Sequence, residues 1–458
     1  MRLTDDLRAS NAKPVSPQAF AARLDSLLAG DRPGRIAVAC SGGPDSMALT
    51  WLAAAWAKQA GVGLQVLIVD HALRPESGAE ASLTAQRLAE RSIAARVLTR
   101  AGPPFDRNVQ AQARDARYAL LAAACAEDDI RHLLLAHHLE DQAETFLLRL
   151  ARGSGVEGLA SMADRLDPPD GPALLRPLLP FPKAALAETL REAGLDAVDD
   201  PSNRNPAHAR VRMRGLLPLL AKEGLTADRL ADTARRMADA AEVLDLAARD
   251  LAGRCLIFHP AGYACVDASV LDEAPRATRL RLIARLLQAV GGGEYPPRLD
   301  GVERLDRDLR NLDGRLPNPR TLAGCRLQTM RDSRLLLTRE AAAAATSAQP
   351  VRPRLVWDGR FRLDIAVEAC PPGARLAALG RDGMRRLRQA GRLDRTDDPP
   401  APARPALPAL ADADGAILEV PHLGYLAHGA QPAIRAISPV FPQGFRFASF
   451  SSGTRQPT

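Results

Sequence analysis

The sequence predicts an α/β protein. An N-terminal doubly wound parallel sheet leads, a small helical domain follows, and a β-containing domain ends the chain. Two observations carry this. Over the first 150 residues, short apolar runs alternate with helix-periodic stretches, which is how strands joined by crossover helices read. One junction, Ala37 to Leu49 (AVACSGGPDSMAL), passes from an apolar strand through Ser41-Gly42-Gly43-Pro44-Asp45-Ser46 into a helix. At 458 residues the chain also exceeds one ordinary core, so two or three domains are expected.

Residues 17–29 read as a short amphipathic helix with Phe20, Leu24, Leu27 and Leu28 on one side. Arg35 to Cys40 is the first strand and Asp45 to Lys58 the helix behind the glycine turn. Leu64 to Val69 reads as a buried strand, ending in Asp70-His71-Ala72-Leu73-Arg74, with a helix near residues 78–92. Ala95–Leu98 is a weak strand, Asn108–Ala126 a long helix, His132–Ala136 a strand and Leu139–Arg152 a further helix. Ligands of such sheets sit outside the carboxyl ends of the strands. Ser41, His71 and His137 each fall just past a strand end, so they should converge on one cleft.

Residues 166–182 are proline-rich and read as an ordered loop. From Pro201 to Lys222 there is no acidic residue, while Arg204, Arg210, Arg212, Arg214 and Lys222 are present. Residues 226–252 and 275–290 are helix-patterned, and Glu340–Arg354 has the composition of a linker. The expected domains are 1–215, 216–340 and 355–458.

The net charge of +7 mildly favours an acidic partner such as nucleic acid, although many soluble proteins are as basic. Only Lys13, Lys58, Lys183 and Lys222 are lysines, so the positive charge is arginine, suited to bidentate phosphate contacts. The six cysteines form no C-x-x-C pair, which leaves no zinc or iron–sulfur signature. No apolar run is long enough to span a membrane and the opening MRLTDDLRAS has no signal-like apolar region, so a cytoplasmic location is expected.

The glycine turn is built for an anion, because its backbone N–H groups and the helix dipole point at one spot. Ser41 and Ser46 add hydroxyl donors, and Asp45 makes sense there chiefly as a magnesium ligand beside phosphates. The usual P-loop lysine is missing, and no lysine lies near in sequence. His137, Asp141, Glu144 and Thr145 share one helical face at i, i+4, i+7 and i+8. Such a stripe can hold an amine, a magnesium ion or a proton, or it is simply the wet face of an amphipathic helix. Asn108, Gln112 and Asp115 form another set, flanked by Arg114, Arg117 and Tyr118. Arg381, Arg385, Arg386, Arg388, Arg392 and Arg395 cluster near the end, as an RNA footprint or a solvated basic helix.

Ser-Gly-Gly-x-Asp-Ser matches the pyrophosphate loop of the PP-loop ATP pyrophosphatase superfamily. Five specified residues at ~7% each recur by chance only about once in a million positions. In order along the chain come Asp70-His-Ala-Leu-Arg74, Asn108-Val-Gln with Ala113-Arg-Asp-Ala-Arg-Tyr118, and Ala136-His-His-Leu-Glu-Asp-Gln-Ala-Glu-Thr145. Arg152-Gly153, Leu175-Arg-Pro-Leu178 and Asp200-Pro-Ser-Asn203 follow. Together these blocks resemble the tRNA(Ile)-lysidine synthetase family over about the first 215 residues. Trp357-Asp-Gly-Arg-Phe361 and Asp414-Gly-Ala-Ile-Leu418 with Val420-Pro421 extend the resemblance more loosely. Val211 stands where the family often has an asparagine.

The resemblance implies a PP-loop, adenine nucleotide α-hydrolase-like fold. It implies a ligase that uses ATP and Mg2+ to join L-lysine to the wobble cytidine of a tRNA(Ile) with a CAU anticodon. ATP binding would fall to Ser41, Gly42, Gly43, Pro44, Asp45, Ser46, His71 and Arg74, with Asp45 as metal ligand. Asp45, His137, Asp141 and Glu144 would be catalytic. Arg114, Arg117, Thr145, Arg152, Asn203, Arg210 and Arg212 would contact lysine or tRNA. A homodimer is left open. A PP-loop tRNA thiolase, a PP-loop amidotransferase and a non-catalytic RNA-binding protein are the competing readings. The first lacks paired cysteines, the second a glutaminase domain and an N-terminal nucleophilic cysteine, and the intact loop and acidic stripe weigh against the third.

Overall fold

The structure is a computed structural model. It describes residues 12–72, 76–102, 105, 109–168, 171–198, 209–312, 314–389, 391, 399–442 and 445. Two compact units divide the chain at residues 241 and 242.

The first unit opens with α1 (Pro17–Leu28), whose N-cap Ser16 accepts a hydrogen bond from the Ala19 N–H. Strand–helix alternation then gives β1 (Arg35–Cys40), α2 (Pro44–Ala60), β2 (Gly63–Asp70), α3 (Ser77–Ala89), β3 (Ala95–Thr99), α4 (Val109–Glu127), β4 (His132–Leu134) and α5 (Leu139–Leu150). After α6 (Val156–Leu159) come β5 (Arg165–Leu166), β6 (Ala173–Leu175), α7 (Lys183–Ala193), α8 (Ala209–Lys222) and α9 (Ala227–Cys255).

The sheet order is β3-β2-β1-β4-β6-β5, parallel throughout except for the edge pair of β5 with β6. Alternation along β1 sends Ile36, Val38 and Cys40 to one face, where α1, α2, α3 and α7 pack. Ala37 and Ala39 face the other side, covered by α4 through Leu121, Ala124 and Cys125. The order reverses between β1 and β4, the switch point at which such sheets open a crevice. The proline-rich segment read as a loop also supplies β6, the fifth parallel strand, whose three residues are all buried.

In the second unit, β7 (Leu256–His259), β8 (Tyr263–Val266), α10 (Ala268–Glu273), α11 (Arg276–Gly291) and α12 (Leu299–Asn311) lead into β9 (Arg320–Leu322), β10 (Cys325–Thr329) and β11 (Leu335–Arg339). The segment read as helical thus also holds an antiparallel sheet, β7-β8-β11-β10-β9, whose strands are too short to give a clear alternation. The stretch with linker composition is folded: α13 (Ala341–Ala344) buries Ala344, and β12 (Gln349–Pro350) pairs with β15 (Arg375–Ala378). Around them β13 (Arg354–Trp357), β14 (Phe361–Ile365), α14 (Gly380–Gln389), β16 (Pro408–Ala411), β17 (Ile417–Val420), β18 (Tyr425–Leu426) and β19 (Ile434–Pro439) complete two further antiparallel sheets. No helix among the described residues is long and apolar enough to cross a membrane.

Candidate active site

The glycine turn sits at the switch point. Gly42 has φ +81°, and a Cβ there would lie 2.4 Å from Thr84 Oγ1 on α3, so backbone conformation and packing both require glycine. Gly43 caps α2 with Pro44 at its first position and Asp45 in the first turn. The Ser46 hydroxyl is buried as a strut. It accepts from the Ser41 N–H at 3.1 Å, donates to the Gly43 carbonyl at 3.0 Å and lies 3.2 Å from Ser41 Oγ. It therefore braces the loop.

Asp45 is half of a larger cluster. His138, buried at 2% exposure, is the N-cap of α5. Its Nδ1 lies 3.0 Å from Glu140 Oε2, and its Nε2 lies 3.4 Å from Asp141 Oδ2 and 3.6 Å from Asp45 Oδ2. Burial works against a charged ring, but the close carboxylate of Asp45, the hydrogen bond to Glu140 and the charge of Asp141 raise its pKa to about 10. His138 thus faces three carboxylates, which favour its protonated form. Burial alone would raise the Asp45 carboxyl; His138, then Lys183 and Arg214, hold it below its ordinary value. Glu140 Oε2 also accepts the backbone N–H of Lys183 at 2.9 Å, and Lys183 Nζ lies 3.9 Å from Asp45 Oδ2. Asp45 Oδ1 is buried without a hydrogen-bond partner.

That orphan oxygen fits a magnesium ion held by one carboxylate, phosphate oxygens and water. Among the described residues no three His, Cys, Asp or Glu side chains form a ready-made metal cage.

α5 begins at Leu139, so His137 lies before the helix and does not share its acidic face. This corrects the stripe read from spacing. The histidine that faces the carboxylates is His138, and His137 turns to arginines. Arg176, itself buried, donates from Nε to His137 Nδ1 at 3.3 Å. Burial, then Arg176, Arg210, Arg114 and Arg117, push the His137 pKa well below its usual value. With Nδ1 accepting, the neutral ring offers Nε2–H as a donor.

Asp141 and Glu144 do share a face of α5, opposite Arg210 and Arg214 of α8. Arg214 Nε donates to Glu144 Oε1 at 2.7 Å, and Arg210 Nη1 lies 4.0 Å from Asp141 Oδ1. Glu144 is fully buried, and burial raises its carboxyl above the ordinary range against the pull of Arg214. Thr145 is buried with its hydroxyl unpartnered, and Arg152 is exposed in the turn after α5. Arg212 is exposed on α8.

Past β2, Asp70 Oδ1 accepts from the Ala72 N–H at 2.9 Å and from Ser77 Oγ at 2.6 Å, which fixes the start of the next loop. His71 follows, half-buried, with Nδ1 unpartnered; burial and then Arg117 lower its pKa. Arg114 and Arg117 both lie over the Tyr118 ring, at 5.1 and 5.4 Å. Arg117 thus acts electrostatically on both His71 and His137. Arg74, Asn108, Asp200, Asn203, Arg204, Arg392 and Arg395 lie outside the described residues.

Cys40 is buried beside Ser46, and burial raises its thiol pKa; Cys125 is raised to about 11 by the same cause. Neither is a thiolate at neutral pH.

Residues 17–220 match the family model of a PP-loop domain. A tRNA(Ile)-lysidine synthase of Bradyrhizobium sp. strain BTAi1 is 41% identical over 320 residues, 66% of this chain and 88% of that one. The chain belongs to the tRNA(Ile)-lysidine synthase family. The same-named protein of Ruegeria pomeroyi is 37% identical over 388 residues, 82% of this chain and 88% of its own. That of Rhodopseudomonas palustris is 43% identical over 286 residues, 62% and 82% of the two chains. His138, Glu140, Lys183 and Arg176 were not singled out from sequence as site residues. A histidine doublet before an acidic helix was visible, but only the strand end shows which of the two faces the acids.

Proposed function

We propose that this enzyme ligates L-lysine to carbon 2 of the wobble cytidine in the CAU anticodon of a tRNA(Ile). The base oxygen on carbon 2 attacks the α-phosphorus of ATP, and pyrophosphate leaves. The lysine ε-amine then attacks carbon 2; the carbon–oxygen bond breaks, AMP departs with the oxygen, and the amine gives up its proton. One observation carries the reading. The anion-binding turn after β1 and the acidic face of α5 after β4 are tied together by one histidine, His138. Pyrophosphate release and amine capture thereby share one crevice.

The Ser41–Ser46 turn receives the phosphates on its backbone N–H groups, where charge develops on the leaving group. A magnesium ion at Asp45 would neutralise part of that charge. An alkylammonium has a pKa near ~10.4, so it must shed a proton before attack. Asp141, 13% exposed, receives the ammonium, and Glu144, one turn on along the same face, takes up its proton. His137 donates from Nε2 to a phosphate or ribose oxygen, with His71 beside the nucleotide. Arg114, Arg117, Arg152, Arg210 and Arg212 carry the positive face that RNA phosphates need. A tRNA substrate supports a cytoplasmic location for the reaction. Asp45→Ala and Asp141→Ala each abolish ATP-dependent lysine incorporation into the tRNA with the circular dichroism spectrum unchanged. Near-normal turnover in either variant contradicts the assignment.

A further inference from the structure

P-loops carry a lysine inside the motif that reaches the β- and γ-phosphates. The Ser41–Ser46 turn has none, yet the fold brings a lysine to it from 138 residues further along the chain. Lys183 is the first residue of α7, and its ammonium lies 3.9 Å from Asp45 Oδ2. That separation allows attraction but is too long for a hydrogen bond, so Asp45 does not consume its three donors. The side chain is 40% exposed and therefore reachable. Its root is fixed: Glu140 accepts the Lys183 backbone N–H, and the Leu139 N–H donates to the Phe181 carbonyl at 3.1 Å. The N-terminal ends of α2, α5 and α7 meet here through Asp45, His138, Glu140 and Lys183. Three helix dipoles thus present their positive ends to one place.

We propose that Lys183 is the phosphate-binding cation of this loop, contacting the β- and γ-phosphates of ATP and then the leaving pyrophosphate. It does the work that a P-loop assigns to its internal lysine, from a different element. His138 faces Asp45, Glu140 and Asp141, whereas Lys183 is anchored and reachable. The assignment rests on the ligase reading for the identity of the nucleotide, but its test does not depend on lysine transfer.

The test uses the full chain. Lys183→Met keeps the aliphatic stem and removes the charge; Lys183→Arg restores it. Magnesium pyrophosphate and AMP are titrated calorimetrically, and KM is measured for ATP and for L-lysine. In Lys183→Met, pyrophosphate binding weakens and KM for ATP rises at least ~10-fold, the size of one lost charged contact. AMP affinity and KM for L-lysine stay within about twofold, and Lys183→Arg recovers most of the loss. Unchanged pyrophosphate binding in Lys183→Met overturns the proposal. An equal loss for AMP does so too, since a merely structural ion pair with Asp45 would disturb the whole loop. If Lys183→Met does not fold, Lys183→Gln gives the same comparison. A wild-type chain that binds pyrophosphate through Lys183 but transfers no lysine refutes the ligase reading alone.

Discussion

Each unit contains an aspartate facing cations, buried at Asp358 and partly exposed at Asp45, and the two are finished to different degrees. In the second unit Asp358 is closed. Its Oδ1 accepts from Arg339 Nη2 and Ser347 Oγ, both at 2.6 Å, and its Oδ2 accepts from Arg339 Nε at 3.0 Å and Arg360 Nε at 2.6 Å. The hairpin that carries it is locked as well. Gly359 and Gly292 are back to back, and a Cβ on Gly359 would lie 2.1 Å from the Gly292 carbonyl oxygen. In the first unit Asp45 is open. One oxygen faces His138 at 3.6 Å and Lys183 at 3.9 Å, and the other has no partner. A saturated buried cluster fixes one conformation, while an unfinished one keeps capacity for a ligand. The Trp357–Phe361 motif therefore reads as architecture, and the Ser41–Ser46 motif as chemistry.

Asparagine at each aspartate gives the sharpest contrast. Asp45→Asn lowers kcat/KM by roughly 10³-fold, as for loss of a group acting on developing charge, with only a small fall in melting temperature. Asp358→Asn leaves Arg360 buried beside a neutral side chain and costs about 3–5 kcal/mol of second-unit stability in denaturant titration. Binding of magnesium pyrophosphate by folded Asp358→Asn protein stays at the wild-type level. If Asp45→Asn unfolds the chain while Asp358→Asn is neutral, the contrast is inverted.

A smaller effect follows at Gly42. Gly42→Ala strains a positive φ and drives a methyl into Thr84, so activity falls by about 100-fold, or ~2.7 kcal/mol. Adding Thr84→Ala removes the clash but not the strain and recovers part of the loss. Full recovery in the double variant means that the φ requirement carries no weight.

How much of this was legible in the sequence differs by range. The turn after β1 was readable because its strand, glycines and helix are contiguous. The succession of strands and helices as far as α5 followed from periodicity for the same reason. The clamp was not readable. His138 joins Asp45 from 93 positions away and Lys183 joins it from 138, and no period links such positions. His137 was preferred to His138 because extending the α5 period back by two residues places it on the acidic face. The helix begins at Leu139, and the extended backbone at His138 turns its neighbour toward Arg176. The antiparallel sheet of residues 256–339 escaped because strands of three to five residues leave only one or two alternations.

The smallest effect lies in pH dependence. His422 packs 5.2 Å from the Phe361 ring, and burial, then the neighbouring His259, lowers its pKa to about 4. The unfolded chain takes up this proton near pH ~6.5 while the folded chain refuses it until pH 4. Stability of the second unit is therefore lost as pH falls from ~6.5 to 4, by about 1–2 kcal/mol after allowance for partial exposure, and is insensitive to this group above pH ~6.5. Denaturant titrations across that window show the slope in wild type and a flatter profile in His422→Leu. Identical slopes would remove His422 from the account.

The central claim is that the open cluster after β1 and β4 joins ATP cleavage to amine capture. Radiolabelled lysine transfer to a tRNA(Ile) transcript with a CAU anticodon tests it most directly, with AMP and pyrophosphate counted in the same reaction. The wild-type chain should incorporate one lysine per AMP and per pyrophosphate released. Asp141→Asn should raise KM for L-lysine at least ~10-fold while pyrophosphate release persists. Label that fails to enter the tRNA in the presence of ATP, or an Asp141→Asn chain with the wild-type KM for L-lysine, contradicts the account.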